Sequence, residues 1–144
     1  EPRSFAISTA GGGLHLTIPL AFYNSGPAPV WAVNLRLKLH GDGLPESVPF
    51  VATRDGVQPV SGPRPLATQV VLSGRESRVI CCEFIRRPFA AHVSEGTVKA
   101  TLEALEARSW GKPTWRSVST FALRFTRDVE IQQGQYIAHD NDPG

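Results

Sequence analysis

The sequence predicts an all-β domain, with short antiparallel strands laid in two sheets around one core. Three observations carry that prediction. Apolar residues recur on every second position over long stretches, which marks strands with one face buried. Thirteen glycines and twelve prolines are scattered between the apolar runs, so the chain turns often. A length of 144 residues, 41% hydrophobic and 19% charged, suits one globular domain with a real core.

Residues Leu14 to Leu39 are the skeleton of the prediction. Leu14, Leu16, Ile18, Leu20 and Phe22 alternate, the turn Asn24 to Pro29 interrupts, and Trp31, Val33, Leu35, Leu37 and Leu39 resume the alternation. Ahead of them lie a weak strand, Ser4 to Ser8, and the flexible turn Gly11 to Gly13. Pro19 cannot donate to a ladder, so the strand Leu14 to Tyr23 should be unpaired on one side there or bulged. Trp31 is expected to be the large central aromatic of the core.

The strand Val30 to His40 stops at Gly41-Asp42-Gly43. Val48 to Thr53 reads as a short edge strand. Arg54 to Pro65, with Pro59, Pro63 and Pro65, reads as an exposed loop. Leu66 to Leu72 and Ser77 to Ile85 are strands joined by Ser73-Gly74-Arg75, and Ile80, Cys82 and Phe84 share one face. Thr97 to Ala107 reads as a strand with Val98, Ala100 and Leu102 inward and a bulge near Ala104. The helix propensity of Ala100 to Ala107 is the competing reading of that segment. The connection Trp110 to Trp115 leads to a last strand, Arg116 to Thr126, which buries Phe121, Leu123 and Phe125.

Seven to eight strands with turns every eight to twelve residues indicate an immunoglobulin-like antiparallel β-sandwich in two sheets. Residues 1–126 form this single domain, and 127–144 are a loosely ordered C-terminal tail.

Three phrases, Leu16 to Gly26, Ala28-Pro29-Val30 and Leu72-Ser73-Gly74-Arg75-Glu76-Ser77, together with Gly96-Thr97-Val98-Lys99-Ala100, resemble bacterial immunoglobulin-like modules of the cell-adhesion-related CARDB type. The resemblance covers Leu14 to Phe125 and rests on turns and strand patterns. It departs at the Pro-rich loop and at the Trp-flanked hairpin. It implies a non-catalytic module outside the cytoplasm that acts as a spacer, adhesion unit or binding module.

The chemistry-bearing residues fit that expectation. His15, His40, His92 and His139 lie at no metal-ligand spacing, and Asp42, Glu46 and Asp55 are too scattered for a calcium cage. Adjacent Cys81 and Cys82 cannot form a normal disulfide and are read as free thiols, one buried and one less so. No catalytic signature is present, so the protein is read as a non-enzyme without cofactor or metal. A net charge of +2 is too small to imply nucleic-acid binding, and no apolar run approaches the ~20 residues of a membrane span.

Two surfaces are candidates for binding. One is the loop end, where Tyr23, Asn24, Arg75, Trp110 and Trp115 should gather with Pro27 and Pro29. The other is a basic sheet face of Arg36, Lys38, Lys99, Arg116 and Arg124, opposed mainly by Glu103. The plainer readings are a packed pair of tryptophans and a merely solvated face.

The expected partner is a protein or an anionic envelope surface, and a carbohydrate or other ligand at the Trp-bearing end is the alternative. The chain starts at Glu1-Pro2 and contains no methionine, so it reads as the extracytoplasmic piece of a membrane-anchored or envelope protein. The unpaired thiols favour the other setting, a cytoplasmic accessory domain.

Overall fold

The computed structural model describes residues 2–8, 12–54, 69–89, 93–106, 111–126 and 136–141. Their regular elements are nine strands: β1 (Ser4–Ser8), β2 (Leu14–Tyr23), β3 (Val30–His40), β4 (Ser47–Arg54), β5 (Val70–Leu72), β6 (Ser77–Arg86), β7 (Gly96–Glu106), β8 (Thr114–Phe125) and β9 (Tyr136–Asp140). Every ladder is antiparallel. The fold is therefore all-β and antiparallel, as the period-two pattern requires. Hydrogen bonding runs along one path, β8-β7-β3-β4-β6-β2-β1-β9, with β5 on the flank of β3.

That path curls around one apolar cluster. Leu14, Leu16, Ile18 and Leu20 of β2 meet Cys82 and Phe84 of β6 on one side. Leu35, Leu37 and Leu39 of β3, Leu102 of β7, and Phe121, Leu123 and Phe125 of β8 fill it from the other. Burying each such side chain is worth about 1.5–3 kcal/mol, which is why alternation dominates local preference. The Ala- and Glu-rich part of β7 illustrates this. It is a strand despite its helix propensity because β3 and β8 bond it on both edges.

β4 is not the edge strand that the sequence suggests. Ser47, Val48 and Pro49 pair with β3, whereas Phe50 to Arg54 pair with β6, so one strand joins the two halves of the curl. The crossing falls where Val51 is an extra residue in the β6 register. The Pro-rich loop expected at 54–65 lies almost wholly outside the described residues, as does the start of the strand expected from Leu66.

Two further bulges reset which way side chains point. Ala32 pairs with Glu106 but Asn34 with Leu105, leaving Val33 as an extra residue in β3. Trp31 therefore loses the phase of Leu35, Leu37 and Leu39, and it is 59% exposed rather than the core aromatic. Leu102 pairs with Ser119 but Glu103 with Ser117, so the extra residue is Val118 of β8 and not a residue near Ala104.

The segment expected to be a loose tail supplies β9, which pairs with β1 from Ser4↔Asp140 to Ser8↔Tyr136. Ile137 and His139 are buried. His139 stacks on Phe5 at 5.1 Å, and its Nδ1 accepts from the Thr126 backbone N–H at 3.1 Å. Asn141 follows. Its Oδ1 accepts from the Arg124 N–H at 2.7 Å, while its Nδ2 donates to Ala122 O at 2.8 Å and to Pro2 O at 2.9 Å. Side chains at the end of β9 thus lace β8 to the start of β1, closing the curl without a ladder.

Asn141→Ala removes these bonds and strands three backbone groups, that of Pro2 buried and the other two part-buried. The expected cost is about 2–3 kcal/mol, read as a lower urea midpoint at unchanged slope.

Candidate functional site

The loop end is built by one asparagine. Asn24 is buried, and its Oδ1 accepts from the Gly26 N–H at 3.0 Å. Its Nδ2 donates to Ala28 O (2.8 Å), Ser73 O (2.9 Å) and Leu72 O (3.3 Å). The β2–β3 and β5–β6 turns are therefore one hydrogen-bonded unit. The Arg75 N–H donates to Gly26 O at 2.9 Å, and Arg75 has a φ of 60°, a left-handed turn conformation. A Cβ on Gly74 would lie 2.0 Å from Pro27 O, so only glycine permits this approach. Asn24 and Arg75, read from the sequence as binding residues, are here part of the frame.

Glu76 locks the second turn. Its carboxylate accepts from the Ser73 N–H at 2.7 Å and pairs with Arg78 at 2.6 Å. The Ser73 N–H, and after it Arg78, hold Glu76 below the usual carboxylate range.

Next to this frame the curl is open. The β1–β2 ladder ends at Ala6↔Thr17, so β2 beyond it is bonded only to β6, on the side away from β1. Pro19 sits at the start of that free edge, where its missing N–H costs no bond. Pro2 and Arg3 meanwhile turn to Asn141, at the end of β9. Facing the gap, inward positions on β3, β7 and β8 include the small residues Ala32, Ala104 and Ser119, beside Leu35, Leu102 and Phe121. Small side chains there leave the interior of the curl unfilled.

The result is a cleft of about 690 Å³. Leu20, Phe22, Leu35, Leu102 and Phe121 line it. Its mouth carries Tyr23, Val30, Trp31, Val79 and Val118, five of the six most exposed large apolar side chains among the described residues. A ring of exposed apolar groups around an apolar hollow is costly in water, which makes this cleft the candidate site. Arg3 and Glu106 are the charged residues lining it. Glu106 is answered by Arg116 at 3.4 Å.

The predicted sites divide on this geometry. Tyr23 lies on the mouth of the cleft, and Trp110 lies outside the described residues. Trp115 faces the other way: it pairs with Leu105, and the Arg36 guanidinium lies 4.1 Å above its ring. Arg36, Lys38, Lys99 and Arg124 do share the outer face of β3, β7 and β8. Arg116 does not, because the bulge at Val118 sets it opposite Ala104 on the inner face. Glu103 also quenches that patch, bonding Arg36 at 2.6 Å and Lys38 at 3.6 Å. Lys99 and Arg124 remain as its exposed cations outside these pairs.

The cysteines are thiols rather than a disulfide, Cys82 fully buried and Cys81 less so at 9% exposure. Burial, then the neighbouring Cys81, pushes the Cys82 thiol up to about 12, so it is no nucleophile at neutral pH. The cleft itself was missed in the sequence; its only signals there were Pro19 and the alanines at inward positions. Among known proteins no family model matches the chain, and neither a curated protein nor a solved structure does.

Because the folded chain favours the charged form of Glu76, its contribution is complete above the ordinary carboxylate range. It is lost as pH falls through the lowered folded value. Glu76→Gln should therefore melt earlier than the parent at pH 7, with the difference vanishing in strong acid, as followed by thermal denaturation across pH.

Proposed function

We propose that this protein is a non-catalytic binding module of immunoglobulin-like sandwich architecture, and that the apolar cleft at its loop end is its working surface. The strand order supports the architectural part. On this reading β1-β2-β6-β4 and β8-β7-β3 are its two sheets, with β4 passing between them. The observation that carries the functional part is the exposed apolar ring around the cleft.

Two alternatives have less support. A carbohydrate site would want free polar groups beside its aromatics; Tyr23 and Trp31 are exposed at the mouth, but the Asn24 amide beside them is spent on the turns. A docking face for an anionic surface would rest on Lys99 and Arg124, since Glu103 offsets Arg36 and Lys38.

An uncharged apolar dye, N-phenyl-1-naphthylamine, tests the reading. It should bind the native protein with one saturable site and enhanced emission. Ser119→Phe, at an exposed position, and Ala104→Phe, at a buried one, both fill the hollow and should weaken it more than about tenfold, the first without lowering the melting temperature. Dye binding that survives both substitutions, or none in the parent, would remove the cleft from the account.

A further inference from the structure

We infer that the cleft takes a single-chain anionic amphiphile, a long-chain carboxylate whose hydrocarbon tail lies between the sheets with its head at Arg3. The inference deepens the proposed function and rests on the cleft being a binding surface. Three observations select this occupant.

The interior offers hydrocarbon and little else. Leu20, Phe22, Leu102 and Phe121 form its walls, and its volume of about 690 Å³ lies within the range of small-ligand sites. A flexible chain can fill an irregular hollow of that kind, where a sugar would leave its hydroxyls without partners.

The charges at the lining are asymmetric. Glu106 already has Arg116 as its counter-ion at 3.4 Å. Arg3 is exposed, and among the described residues no carboxylate pairs with its guanidinium. Only its backbone oxygen is used, accepting from the Asn141 N–H. The lining therefore presents one uncompensated positive charge at the edge of an apolar space, which complements an anionic head on an apolar tail.

The strand edges bordering the cleft are blunted, which argues against its other natural occupant, an extended peptide added as a further strand. Pro19 removes a donor from the open edge of β2, and the bulge at Val118 breaks the regular spacing of the open edge of β8. Such devices discourage ladder formation while leaving the space between the strands open.

Calorimetric titration with monomeric dodecanoate tests the inference, alongside dodecyltrimethylammonium and dodecanol of equal chain length. Dodecanoate should bind one to one and more tightly than either. Arg3→Glu, an exposed change that leaves the core alone, should weaken dodecanoate about threefold to tenfold and leave dodecanol unchanged. Ser119→Phe should abolish all three. Equal affinity for the three headgroups, or indifference of dodecanoate to Arg3→Glu, overturns the anionic assignment. In that case the uncharged dye still reports whether the cleft binds at all. Binding of an alternating apolar peptide, or flotation with phosphatidylcholine vesicles, in the absence of dodecanoate binding would also overturn it.

Discussion

Asn141 ties β8 to the residues ahead of β1, and the way the sheet closes follows from where it does so. Its side chain holds Arg124 and Ala122 of β8 on one side and Pro2 on the other, while its backbone N–H holds Arg3. A sheet that curls must either close by a ladder or leave two edges. Here the terminal strands β8 and β9 are joined by side chains, over the short stretch that Asn141 and His139 can reach. Pro2 and Arg3, held in this way at the end of β9, lie beyond the β1–β2 ladder and line the cleft with Pro19 to Tyr23 of β2.

What fills the interior then depends on bulges and on residue size. At the closed end Phe5, Phe125 and His139 pack ring against ring, at 5.1 to 5.4 Å. Toward the open end the extra residues Val33 and Val118 turn Trp31 and Trp115 out of the inner phase and bring Ala32 and Arg116 into it. The Asn24–Gly74 unit keeps this end from collapsing, since it fixes the two turns beside the mouth. Rigidity at the turns and emptiness between the strands belong to one design.

The parts of this arrangement legible in the sequence are those set by local repetition. The alternation of β2, of Leu35 to Leu39 and of Phe121 to Phe125 reads directly, and so does the break in pairing at Pro19. Trp31 and Arg116 were misplaced for a common reason. A bulge inverts every side chain on its far side, and only the partner strand reveals it. β9 escaped notice because five residues after a Gln- and Gly-rich stretch carry almost no periodic signal, and β4 because an interior strand with Pro49 looks like an edge. The cleft arises from residues on β2, β3, β7 and β8 that share no sequence neighbourhood, so no motif could announce it.

The central claim, a curl packed at one end and hollow at the other, is tested most directly by nuclear Overhauser contacts from a small apolar probe to assigned methyl groups. Cyclohexane dissolved with the protein should give contacts to Leu20, Leu102 and Val118, which line the hollow, and none to Leu14, Leu16 or Leu123 in the packed interior. Contacts to the second set, or to neither, would contradict the account.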